Sequence, residues 1–81
     1  MKNELLNNID KIHTTELGIA RIKCNLELKE NDIVNWCKNE ILKSKEIYKK
    51  GKNWYVNSQG KTITINGNSY TIITAHKNDH V

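Results

Sequence analysis

The C-terminal third of the chain gathers the side chains best suited to proton transfer and phosphate chemistry. The run Ser69-Tyr70-Thr71-Ile72-Ile73-Thr74-Ala75-His76-Lys77 brings together a phenol, several hydroxyls, an imidazole and an ammonium. Metal-free cleavage of RNA uses groups of this kind. A base takes the ribose 2′-hydroxyl proton, an acid protonates the leaving oxygen, and a cation stabilises the extra charge on the phosphoryl group. His76 suits the base or the acid and Lys77 the cation, with Tyr70 and Thr74 completing the candidate catalytic set. Neighbours on a strand point to opposite sides, so His76 and Lys77 serve one substrate only if the strand twists or ends there. The plainer expectation for His76 is a histidine at the rim of a sheet.

A second group of residues suits binding rather than catalysis. The net charge is +4, and its distribution is uneven. Residues 1–42 carry six basic and seven acidic side chains, whereas residues 43–61 carry Lys43, Lys45, Lys49, Lys50, Lys52 and Lys61 against Glu46 alone. Such a cluster attracts polyanions and speeds their encounter. Tyr48 and Tyr55 fall within it. Tyr48, Tyr55, Lys49, Lys50, Lys52 and Lys61 are therefore the candidate nucleic-acid-binding set, in which rings stack on bases and ammonium groups neutralise phosphates. The competing reading is an ordinary solvated sheet whose lysines keep hairpin edges soluble and unpaired.

Other chemistries find little purchase. Cys24, Cys37 and His13 lack zinc-type spacing, and His76 and His80 are four apart in an extended tail, so no metal is expected. There is no glycine-rich phosphate loop and no Ser/His/Asp pattern, and no cofactor is expected. Two isolated cysteines and the absence of an apolar leader point to a reducing cytoplasm with free thiols. No stretch approaches the roughly 18–20 apolar residues of a membrane span. Trp36, Trp54 and Cys37 read most simply as core.

The elements that position these residues follow from periodicity. The 81 residues make one domain at most. Leu5, Ile9 and Ile12 recur at helical spacing and predict a helix over residues 2–12. A second helix is expected over 15–26, capped by a threonine, with Ile19, Ile22 and Leu26 as its stripe, joined by Leu17. Gly18 would weaken it while allowing another backbone to come close. A third is expected over 32–43, capped by Asn31 or Asp32, with Ile33, Val34, Trp36, Cys37, Ile41 and Leu42 making it the most buried of the three. From Glu46 the period changes to two. Strands are expected over 46–49, 53–57, 62–66 and 69–76, separated by turns at Lys50-Gly51, Gln59-Gly60 and Asn66-Gly67-Asn68. Short turns force antiparallel neighbours. The expected fold is α+β: three N-terminal helices packed on one face of a four-stranded antiparallel β-meander.

Alternation then assigns the faces. Ile47, Trp54, Val56, Ile63, Ile65, Tyr70 and Ile72, continuing to Thr74 and His76, are expected under the helices. Tyr48, Tyr55, Asn57, Thr62, Thr64, Thr71 and Lys77, with Ile73 and Ala75, are expected on a face open to water.

The runs Thr15-Glu16-Leu17-Gly18-Ile19, Val34-Asn35-Trp36-Cys37-Lys38 and Gly51-Lys52-Asn53-Trp54-Tyr55, together with the strand 69–77, resemble a family of small bacterial proteins catalogued only as a domain of unknown function. The resemblance covers nearly the full length and implies no activity. More distantly, helices followed by a meander ending in Ile-Thr-Ala-His look like the small ribonucleases of the RelE/barnase/EndoU type, many of them toxins or phage-derived effectors. The chain departs from that pattern in having Arg21 as its sole arginine. Two expectations stand side by side: an RNA-directed domain, as a binder or at most a metal-independent ribonuclease, and a non-catalytic interaction module or homodimer meeting a protein partner through the meander's edge or open face.

Overall fold

The computed structural model describes residues 4–78. The expected start of the first helix at Lys2, and His80, lie outside them. The elements run in the order α1 (Glu4–Asn7), a 3-10 turn (Ile9–Lys11), α2 (Glu16–Leu26), α3 (Ile33–Lys43), β1 (Glu46–Lys50), β2 (Asn53–Ser58), β3 (Lys61–Asn66) and β4 (Ile72–Lys77). The architecture is α+β, with one four-stranded antiparallel sheet in the order β1-β2-β3-β4.

The first helix is not continuous. Its α-helical part ends after one turn because the Asn8 side-chain amide donates to the Glu4 carbonyl at 2.9 Å, while the Asn8 backbone N–H reaches Leu5 three residues back. Asparagine offers the backbone a competing partner, and the chain tightens into the 3-10 turn. Leu5 and Ile12 still reach the core.

The two longer helices start where side chains satisfy their first amides. Thr15 accepts from the Gly18 N–H at 3.0 Å, and Asp32 accepts from the Asn35 N–H at 3.0 Å. The close neighbour of Gly18 is a side chain rather than a second backbone. A methyl group there would run into the Thr14 hydroxyl, which donates to the Ile72 carbonyl at 3.0 Å. Thr14 thereby fixes α2 to β4. The apolar stripes are narrower than expected: Leu17 and Leu42 are 62% and 60% exposed.

Two tight turns build the first three strands. Gly51 and the pair Gln59-Gly60 take positive φ, which two-residue hairpin loops require. The third connection is longer. Asn66 accepts the N–H groups of Asn68 and Ser69 on its side-chain oxygen, Tyr70 adopts φ +60°, and β4 begins only at Ile72.

Ile22, Leu26, Ile33, Cys37 and Ile41 from the helices meet Trp54, Val56, Ile63, Ile65, Ile72 and Ala75 from the sheet in one core. At about 25 cal/mol per Å² of apolar area removed from water, this contact is the main source of stability. Ser58 and Glu40, both buried, are joined at 3.1 Å, and Lys43 pairs with Glu40 at 3.3 Å. The buried carboxylate is thus satisfied on both oxygens.

Candidate functional site

Strand register decides which candidate residues share a surface, because paired residues point to the same side of a sheet. Ile47 pairs with Val56, Trp54 with Ile65 and Val56 with Ile63, which is the helix-covered side. The opposite side carries Tyr48, Tyr55, Thr64 and Thr74 in one row and Glu46, Asn57, Thr62 and His76 in the next. Lys50, Asn53 and Asn66 form a third row beside the β1–β2 turn.

The expected sides of the last strand are reversed at its end. Thr64 pairs with Thr74, but Ile65 pairs with Ile72, so Ile73 is an extra residue that the partner strand does not match. One extra residue inverts every side chain beyond it. Ala75 is consequently fully buried under the helices, while Thr74 and His76 stand beside the tyrosines. Lys77 faces α2, where its ammonium lies 3.0 Å from the Glu27 carboxylate.

The bulge separates the candidate catalytic set. Thr74 and His76 share the outer face, and Lys77 is on the other. Tyr70 is 9% exposed, with its ring in the core and the Lys11 ammonium 5.9 Å from the ring centre. The His76 Nδ1 lies 3.2 Å from the Lys77 carbonyl, so in that contact Nδ1 carries the proton.

The candidate binding set is also divided. Tyr48 and Tyr55 stack across β1 and β2 with ring centres 5.5 Å apart and planes inclined by 21°. Lys50 shares their side. Lys49 does not: it pairs with Trp54 and holds its ammonium 5.8 Å from that ring. Lys61 pairs with Lys77 toward the helices. Lys52 sits in the β1–β2 turn, held in place by Gly67, whose N–H donates to the Lys52 carbonyl at 2.7 Å. A side chain at Gly67 would press into that same carbonyl.

No helix or strand among the described residues covers the outer face, and its side chains are ordered. Tyr48 is 41% exposed, and Thr64, between Tyr55 and Thr74, is shaded to 8% by its neighbours. Asn57 donates to Glu46 at 2.8 Å, and the Thr62 hydroxyl meets both Asn57 and Asn78 at 2.8 Å. Lys43 and Lys77 have carboxylate partners; Lys45, Lys49, Lys50, Lys52 and Lys61 have none among the described residues.

One cluster has no counterpart in the sequence reading. His13 bridges in parallel to Thr71, adding a short piece of chain to the β4 edge. Its Nδ1 lies 2.9 Å from the Lys11 carbonyl and its Nε2 lies 3.0 Å from the Thr71 hydroxyl, which is 2.7 Å from that of Ser69. In the neutral ring the Lys11 carbonyl fixes the proton on Nδ1, so Thr71 donates to Nε2. Fifty-eight residues separate the pair, and no local pattern marks such a contact. No pocket opens among the described residues. No helix is long and apolar enough to cross a membrane among them.

A family model described as a protein of unknown function, DUF3781, matches residues 6–76, and the chain belongs to that family. No curated protein and no solved structure matches the chain.

Proposed function

We propose that the outer face of the sheet binds single-stranded nucleic acid, with RNA as the first ligand to test. The observation that carries this reading is the stacked Tyr48–Tyr55 pair on the sheet face opposite the helices, beside ammonium groups that have no carboxylate partner among the described residues. A base laid on an aromatic ring gains about 1–3 kcal/mol, and the gain is tolerant of sequence because every base has a flat face. Lys50, in the row next to the tyrosines, and Lys52, in the β1–β2 turn, suit phosphates. Thr74 and His76 lie across the sheet from Tyr48 and offer hydrogen bonds to ribose or base edges.

Titration of a fluorescent single-stranded oligonucleotide across a salt series tests the proposal. Affinity should fall steeply as salt rises, and Tyr55→Ala should weaken binding by about fivefold to a hundredfold, the stacking gain expressed as an affinity. Binding that ignores both salt and Tyr55 would defeat the reading and favour a protein partner on the same face.

A second reading, cleavage of the bound RNA, draws on the bulge that turns His76 and Thr74 toward the tyrosines. His76 would act as acid or base there. Lys77, paired with Glu27 on the far side, is not positioned to assist. Product formation that survives unchanged in His76→Ala would remove His76 from any such step.

A further inference from the structure

The two edges of the sheet are finished differently. The β4 edge is met by His13, whereas β1 pairs only with β2 and no described strand meets its other side. An open edge is a template for another strand. We propose that a second copy of this chain fills it, β1 against β1 in antiparallel register centred on Tyr48.

Three physical constraints single out that register. The two copies must be related by a twofold axis, which makes the contact self-complementary. If the axis stands perpendicular to the sheet, both helical layers stay on one side and both tyrosine faces on the other. Directly opposed residues must then have equal parity, so only registers in which a residue faces itself are admitted. Centring on Ile47 sets Lys45 against Lys49 of the second copy. Centring on Lys49 sets that lysine against itself. Centring on Tyr48 sets Glu46 against Lys50 twice, Ile47 against Lys49 twice, and Tyr48 against Tyr48. Of these central registers it alone opposes unlike charges and no like ones. Opposite charges facing each other across a strand pair stabilise it, and like charges destabilise it.

Glu46 is the only carboxylate between residues 41 and 78. The pairing neutralises it at the centre of an eight-stranded sheet and joins two tyrosine pairs into one row of four rings. Lys52 remains at each flank. The strand contact itself does not depend on the nucleic-acid reading; only the use of the widened row rests on it.

Sedimentation or light scattering of the full chain without nucleic acid, over a dilution series, tests the contact. The parent should associate to a dimer. Glu46→Lys and Lys50→Glu should each raise the dissociation constant by about tenfold or more, since two symmetric pairs turn repulsive. A mixture of the two single variants should form a heterodimer, because each then offers the charges the other lacks. The double variant should dimerise like the parent. A parent that stays monomeric throughout, or a dimer indifferent to the charge exchange, would overturn the proposal. Tyr48→Cys in a Cys24→Ser background should oxidise to a covalent dimer, and failure to do so while the parent dimerises would place the contact elsewhere. RNA binding by a monomeric parent would sink this contact and leave the tyrosine face standing.

Discussion

The β4 edge and the β1 edge differ in composition and in treatment: β4 is Ile72-Ile73-Thr74-Ala75-His76-Lys77, whereas three of the five residues of β1 are charged. At β4, the chain folds back to close the sheet: the Ile72 N–H donates to the His13 carbonyl at 2.7 Å, and the His13 N–H donates to the Tyr70 carbonyl at 3.1 Å. Thr14 and Asn25 add side-chain bonds to the Ile72 and Ala75 carbonyls. Helix α2 lies against this strand, and Ile72 and Ala75 are buried. At β1, only Ile47 is drawn toward the core, and the other four residues are exposed. Satisfying backbone groups and burying apolar area fixes the first edge. The second has no strand against its outer side among the described residues.

The largest test of that contrast is a pair of truncations, one on each edge strand. Ile72→Ala removes a side chain that is 1% exposed and should cost about 2–5 kcal/mol. Ile47→Ala, at a half-buried position on the open strand, should cost roughly 1–2 kcal/mol, in proportion to the smaller area it buries. Urea denaturation measures both. Equal losses would mean that β1 is as firmly held as β4, and the distinction between the edges would fail.

A second test asks whether the openness of β1 extends into the core behind it. Cys37 on α3 is fully buried, whereas Cys24 on α2 is exposed. Burial, with a smaller contribution from the Glu40 charge, pushes the Cys37 thiol up from 9.0 to about 12. The native state therefore holds this proton after the unfolded chain has released it. Its contribution to stability is fully present below pH 9 and is lost progressively as pH rises toward 12. Cys37→Ala should flatten that alkaline loss. At neutral pH a thiol reagent should label Cys24 at once and Cys37 only as the protein unfolds. Rapid labelling of both would show that the core beneath the open edge is itself loose.

The sequence made one half of this contrast readable and hid the other. Hairpins at Lys50-Gly51 and Gln59-Gly60 are local devices, and glycine in a two-residue loop announces them. The sheet order and the side facing the helices follow from those turns and the alternation of Trp54, Val56, Ile63 and Ile65. The bulge at Ile73 announces nothing: Ile72-Ile73-Thr74 are all good strand formers, so alternation runs through them unbroken while the register does not. Alternation therefore puts Thr74, Ala75, His76 and Lys77 each on the side opposite to the one it occupies. Tyr70 belongs to the loop before β4 because of a left-handed backbone conformation unusual for an aromatic residue. The closing of the β4 edge rests on contacts between residues far apart in sequence, which periodicity cannot see.

The smallest test concerns what holds that closed edge. His13 contributes both its backbone, through two bonds to the sheet, and its ring, through the Lys11 carbonyl and the Thr71 hydroxyl. The ring is exposed, and Thr71 keeps its contact with Ser69 when the imidazole is removed. His13→Ala should therefore cost only about 0.5–1 kcal/mol, the low end for a hydrogen-bonded group that water can replace. Hydrogen exchange at the Ile72 amide separates the two contributions, because that amide bonds to the His13 carbonyl and not to the ring. Protection that persists in His13→Ala shows that backbone pairing and the packing of Leu5 and Ile12 hold the segment in place. Protection that vanishes, with a loss of several kcal/mol, would make the imidazole the latch of the closed edge. The two edges would then differ by one side chain rather than by the way the chain is routed.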